Sequence, residues 1–328
     1  MDLFPSADQD ALIAAARDVL RGELPAQPGN EARALRLFGD LGWYLLGLPE
    51  ESGGVGYGPA EEALLLLEAG RHLAPINLMA GMLGGRLAMM GGRTDLAQAI
   101  GSGECNVAFG LASESPGAPA VLLSATDAQF ILMIAWNHAL LYPIGAITRR
   151  HNLPCLDETV ALEQATIDSE AAISHQDGPG IACHRDVLAA AYLAGMAEQT
   201  MALAVQHACT REQFGQPIGA FQAVKHPCAD MAVRCEAAHW QTMIAAISIA
   251  GTAPDATYQT NAAISLALAA AFANTAAAIQ IFGGMGYAAD CPVHRFLKRT
   301  HVIERLVGGA GARLQSILET AAPDTIRR

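Results

Sequence analysis

Apolar positions in the first hundred residues recur at helical spacing. In SADQDALIAAARDVL, Ala11, Leu12, Ala15, Ala16, Val19 and Leu20 share one stripe behind Ser6, a preferred N-cap, and predict a first helix. A second is predicted over 31–41. LGLPEESGGVGYGP, with Pro49 and five glycines, reads as a loop. PAEEALLLLEAGRHL resumes as a helix with Pro59 in its first turn, and further short helices carry the chain to Gly103.

The pattern then changes. Between Asn106 and Ser174 the runs VAFGLA, AVLLSA, QFILMIAW, HALLYPI, TVALEQA and EAAISH are short, apolar or alternating, and punctuated by Gly, Pro, Asp and Asn. They predict a small β unit, with DETVALEQA open to a helix as well. From Asp186 the helical period returns, with Leu193, Met196, Thr200, Leu203 and His207 on one stripe. Further long helices are predicted over 222–250, 255–282 and 292–319, and four long helices with short connections suggest a bundle. The expected fold is mainly α: an N-terminal helical domain (1–105), a shortened β domain (106–178) and a C-terminal four-helix bundle (179–328).

Composition narrows the function. Apolar residues make up 52% of the 328 positions and charged residues 16%, which excludes a disordered chain. A net charge of −12 argues against nucleic acid and against membrane binding through basic residues. No stretch approaches the roughly 18 apolar residues of a membrane span; FILMIAWNHALLYPIGAI, the nearest, reads as buried strands. The N-terminus carries acids where a signal peptide carries positive charge. The seven cysteines are widely spaced, without Cys-x-x-Cys. They predict free thiols in a reducing cytoplasm and no metal site.

Two stretches carry chemistry. In TREQFGQPIGAFQAVKHPCADM, Arg211 ends a long helix and Gly215, Pro217 and Gly219 turn the chain. Arginine there complements a helix dipole. It also offers a planar fork suited to a pyrophosphate. Gln213 and Gln222 add directional hydrogen bonds and Phe214 a flat face, a set a dinucleotide can use. In QIFGGMGYAADCPVHRFLKR, Gly283, Gly284 and Gly286 exceed what a helix C-cap needs and permit close backbone approach. Because these glycines follow a helix rather than a strand, they are not a Rossmann loop.

Together these two stretches resemble the acyl-CoA dehydrogenase family, flavoproteins that desaturate acyl-CoA thioesters. LGWYLLGLPEESGGVGYGP and LAQAIGSGECNVAFGLASE look like that family's N-terminal landmarks, while the middle of the chain matches poorly. The resemblance implies dimers or tetramers with FAD lying across a subunit interface. It implies that Arg211, Gln213 and Phe214 face the FAD diphosphate of a neighbouring subunit's site, with Gln280, Gly283 and Gly284 nearby and Gln222 a further candidate. It also implies an acyl-CoA substrate and an electron-transfer flavoprotein as acceptor. In the family a carboxylate takes the proton alpha to the thioester carbonyl while the flavin takes the beta hydride.

The sequence departs from the family at that base. The usual glutamate position falls on Val307, followed by Gly308 and Gly309, and Gly309, Ala310 and Gly311 replace residues that help hold a subunit's own flavin. Some relatives supply the base near Arg185, where Asp186 is the adjacent carboxylate; as a preferred cap, Asp186 also reads as the N-cap of a helix starting at Val187. Glu304 reads as a surface pair with Arg305 or Lys298. What is lost concerns the site this chain would own, and what is kept concerns the site it would lend. The chain therefore resembles the non-catalytic short subunit of a heteromeric acyl-CoA dehydrogenase, such as a heterotetramer acting on steroid side chains. Two other readings stand beside it: a self-sufficient homo-oligomer using Asp186, and a flavin-free scaffold or regulator of the same fold.

Overall fold

Ser6 opens the first helix, α1 (Ala7–Gly22), as its sequence predicts. The Gln9 backbone N–H donates to the Ser6 hydroxyl at 3.3 Å, and the Ser6 N–H donates to the Gln9 side-chain oxygen at 2.8 Å. Two donors that a helix start leaves unpaired are thus satisfied reciprocally. This computed structural model describes residues 5–22, 31–112 and 119–320. Residues 113–118, between the VAFGLA and AVLLSA runs, lie outside the described residues.

The helices after α1 are α2 (Glu31–Asp40), α3 (Pro59–Arg71), α4 (Asn77–Met90) and α5 (Thr94–Gly101). The strands follow: β1 (Val107–Leu111), β2 (Ala120–Leu123), β3 (Phe130–Ile134), β4 (His138–Pro143), β5 (Ile147–Leu153), β6 (Leu162–Ile167) and β7 (Ser174–Asp177). Then come α6 (Gly180–Thr210), the short strands β8 (Glu212–Gln213) and β9 (Gln216–Pro217), α7 (Gln222–Ala250), α8 (Ala256–Phe282), α9 (Val293–Leu306) and α10 (Ala310–Glu319). The order is the expected one: helices, a β section, then a helical bundle.

The chain packs as two units. One comprises Gly22–Glu62 and Ala74–Arg185. Its seven strands run β5-β6-β2-β1-β3-β4-β7, with β1 and β3 parallel and the other pairs antiparallel. Ala108, Leu122, Ile131, Tyr142 and Ala165 form its core. The LEQA end of DETVALEQA resolves as a strand and not a helix, since Leu162–Ile167 pairs on both sides, with β2 and β5. The Asn77 amide donates to the Val107 and Ser124 carbonyls at 3.2 and 3.1 Å and ties α4 to the sheet. In the same unit, buried Glu62 accepts from Arg86 at 3.1 Å and lies 2.6 Å from His184 Nε2. An ideal Cβ on Gly47 would come within 2.2 Å of the Glu62 carboxylate, so only glycine fits beside this pair.

The other unit comprises Met1–Arg21, Ala63–Leu73 and Asp186–Arg328. A shared core takes Ala204 from α6, Met231 from α7, Ala278 and Ile279 from α8, and Val293 from α9. A charged chain runs through it. Arg17 pairs with Glu68 at 2.8 Å, Arg71 lies 3.2 Å from Glu68 and also pairs with Glu198, and His239 lies 3.1 Å from Glu198.

Three sequence expectations are corrected here. Helix α6 begins at Gly180, a turn and a half before Asp186, so Asp186 is an interior helical residue and not an N-cap. The helix expected over 292–319 breaks at Val307, because Gly308 and Gly309 take φ of 84° and 85°, a region that favours glycine and interrupts α-helix. Finally, Gly180–Thr210 and Ala256–Tyr287 are long and apolar enough to cross a membrane, although 72% and 56% of their most apolar windows are buried. Alanine raises their hydropathy while serving close packing.

Burial pushes the Glu62 and Glu198 carboxyls up, but His184 and Arg86 at Glu62, and His239 and Arg71 at Glu198, hold both below the ordinary 4.5. With the folded pKa below the unfolded one, their stabilisation is complete above the unfolded pKa and is lost as pH falls through the folded value. The denaturation midpoint is therefore expected to decline below pH 4.5. The acid limb should be shallower in Glu62→Gln. Denaturant titrations at stepped pH check this; an equally steep limb in the variant contradicts it.

Candidate functional site

At its C-terminal end α6 gives way to a tight hairpin. The Ile218 N–H donates to the Arg211 carbonyl at 2.8 Å, and Gln213 pairs with Gln216. The two turn residues, Phe214 and Gly215, have φ of 54° and 80°. Glycine suits such a turn; a bulky aromatic side chain there is strained. Phe214 is nonetheless 92% exposed, its ring set edge-on to Phe221 with centroids 6.1 Å apart. A strained backbone presenting an apolar ring to solvent points to a binding role. Arg211 and Gln213 are exposed on the same hairpin, and Gln222 is exposed at the start of α7.

The second stretch forms the end of α8. Gly283 takes φ 63° and ψ −142°, a conformation essentially restricted to glycine. At Gly284 a Cβ would meet nothing within 4 Å, so its surroundings are open. Gln280, Gly283 and Gly284 line an open cavity of about 350 Å³ with Ala276, Ile279, Tyr287 and Leu297. Sequence reasoning missed Tyr287, whose ring is 73% exposed, although it closes the same Gly-Gly-x-Gly run and so was within reach.

The helix ends that carry the two stretches share a core and also meet through a ring stack. The His207 imidazole, on the last turn of α6, stacks on Phe282, the last residue of α8, with centroids 4.2 Å apart and planes 14° from parallel. Burial, aided by the Arg211 charge, lowers the His207 pKa and so favours the uncharged imidazole. Thus the structure brings Gln280, Gly283 and Gly284 into one cavity and joins their helix end to that of Arg211, Gln213 and Phe214. Gln222 does not line the cavity.

A different arrangement surrounds Val307. Its side chain is fully buried, and its carbonyl accepts from Arg313 Nε at 2.7 Å and from a second guanidinium nitrogen. Arg313 also lies 2.6 Å from the carboxylate of Asp186, itself fully buried, and donates to Asn261 Oδ1 at 3.4 Å. Asp186 is therefore committed to an interior ion pair. Arg185 donates to the Ile134 carbonyl at 3.1 Å, and half-buried Glu304 lies 3.6 Å from His301. From Asn261 to Gln280, α8 spans about 28 Å at 1.5 Å per residue. The Val307 cluster and the glycine turn thus occupy opposite halves of that helix. The seven cysteines are free thiols, and among the described residues no cluster of three His, Cys, Asp or Glu could hold a metal.

Residues 6–99 match the family model described as acyl-CoA dehydrogenase, N-terminal domain, and residues 184–321 match acyl-CoA dehydrogenase, C-terminal domain. The chain is 31% identical over 291 residues to acyl-CoA dehydrogenase IpdE2 of Mycobacterium tuberculosis, covering 86% of this chain and 84% of that one. Its fold is similar to the ChsE4-ChsE5 complex from Mycobacterium tuberculosis, with a TM-score of 0.80 at 20% identity over 98% of this chain and 100% of that one. It is also similar to the Tcur3481-Tcur3483 steroid ACAD, with a TM-score of 0.77 at 22% identity over 95% and 97% of the two chains.

Proposed function

The protein belongs to the acyl-CoA dehydrogenase family of oxidoreductases, and from that premise we propose that it lends half of an FAD site to a homologous catalytic subunit. The observation carrying this reading is the contrast between the two halves of α8. Near Gln280 and Gly283 the chain holds exposed, jointly positioned groups. Near Asn261 it holds a buried Arg313–Asp186 pair and, at the position the resemblance gives to the base, buried Val307.

The residues present fit FAD. An exposed guanidinium and amide on the hairpin suit a diphosphate. The Phe214 and Tyr287 rings offer apolar faces, and the open space at Gly284 admits a ligand's close approach. When bound, FAD supplies the acceptor for the hydride leaving the substrate's beta carbon. Arg211, with Gln213, would bind and orient the diphosphate. Gln280, Gly283 and Gly284 would hold the neighbouring part of the nucleotide, with Gln222 at the margin. The proton alpha to the thioester carbonyl would go to a carboxylate of the partner subunit, since Val307 has no group to accept it.

For the substrate we propose an acyl-CoA with a bulky acyl group, such as a steroid side chain. Silencing half of the active sites would leave room for it, and the likeness to a steroid ACAD is in keeping with it. Electrons would pass to an electron-transfer flavoprotein. A flavin spectrum on co-expression with the partner, and none from the chain purified alone, is the expected result; a full flavin spectrum from the chain alone contradicts it.

A self-sufficient enzyme using Asp186 is the second reading, because Asp186 is the carboxylate beside the position that serves as base in some relatives. Asp186→Asn is expected to leave turnover per folded enzyme nearly intact. A fall of several orders of magnitude, with the fold retained by circular dichroism, would make Asp186 the base.

A further inference from the structure

The hairpin bearing Arg211 hangs from the end of α6, and the Gly283–Gly284 turn hangs from the end of α8. For both to grip one dinucleotide, the separation of these helix ends must be fixed within a fraction of an ångström, since loosely held groups lose most of their joint affinity. The His207–Phe282 stack lies where that constraint is needed. Its centroids are 4.2 Å apart and the rings nearly parallel. The His207 backbone carbonyl accepts the Arg211 N–H at 2.9 Å, so the residue that carries the ring sits in the helical turn leading into the hairpin. On the other side, Phe282 directly precedes Gly283, whose unusual φ and ψ redirect the chain into the cavity wall. Burial and the nearby Arg211 charge both favour the uncharged imidazole at this stack.

We infer that His207 is a positioning residue for the lent FAD half-site, setting through its stack on Phe282 the distance between the Arg211 hairpin and the Gly283–Gly284 turn. This rests on the reading that the chain lends such a half-site. His207 does not touch the nucleotide in this scheme; it acts through the two turns.

The test uses the complex co-purified with its partner subunit, stripped of flavin and titrated with FAD by fluorescence quenching. His207→Leu keeps bulk without a flat face, and His207→Phe keeps the stack without a titrating nitrogen. His207→Leu is expected to weaken FAD binding about three- to ten-fold, the range for loss of an aromatic pair. His207→Phe should stay within about two-fold of the parent on the same scale. A packing role alone would lower the flavin-free melting temperature of His207→Leu and leave FAD affinity untouched, which overturns the inference. Equal weakening in both variants also overturns it, because the stack would then not be what matters. Arg211→Ala separates the layers. If it weakens FAD binding and His207→Leu does not, the positioning role fails while the half-site stands. If neither changes FAD affinity, the half-site itself is wrong.

Discussion

Arg313→Met is expected to destabilise the chain by about 3–5 kcal/mol, the cost of leaving a buried charge unpaired. The guanidinium lies 2.6 Å from the Asp186 carboxylate, and its Nε donates to the Val307 carbonyl at 2.7 Å. Both acceptors are buried, so removing the arginine takes away the charged donor they share. Arg313 is also the residue by which α10 is buried, whereas Leu314 and Leu318 are 56% and 86% exposed. Amide exchange across 310–319 should therefore accelerate in the variant, beyond the general loss of stability. Replacing both partners, Asp186→Leu with Arg313→Met, should recover most of the loss, because an apolar pair of similar volume often substitutes for a buried ion pair at little net cost. Denaturant unfolding of the three variants decides the matter. A single-variant loss under about 0.5 kcal/mol, the level of an ordinary surface substitution, would show that the pair does not hold this end of the bundle.

Arg211→Ala is expected to weaken FAD binding in the assembled complex about 10- to 150-fold, the loss of one charge-assisted contact of about 1.5–3 kcal/mol. The side chain is exposed in the single chain, so stability should hardly change. Arg211→Lys should recover part of the affinity, since it keeps the charge but not the planar fork. Calorimetric titration of the flavin-free complex measures each value. Unchanged affinity in Arg211→Ala would remove Arg211 from the site.

The proposed binding half could be read from the sequence because its signals are local. A two-residue turn with Phe214 and Gly215, and a helix stop at Gly283 and Gly284, are written in adjacent letters, and the family resemblance rests on the same letters. The absence of a carboxylate at Val307 could be read in the same way. What replaces it could not: Asp186 and Arg313 are 127 positions apart, and no sequence pattern announces their pairing. The His207–Phe282 stack is illegible for the same reason; the sequence shows His207 only as a member of an apolar stripe. Boundaries failed where glycine was weighed wrongly. Gly180 starts α6 although glycine is a poor helix former, which left Asp186 looking like a cap. Gly308 and Gly309 end α9, yet the apolar period continues beyond them and suggests one helix.

The central claim, that this chain completes a flavin site it does not own, is tested most directly by counting FAD per polypeptide in the complex co-purified with its catalytic partner. With equal numbers of the two subunits, the account expects one FAD for every two chains. One FAD for every chain, with this subunit's own pocket filled, would contradict it.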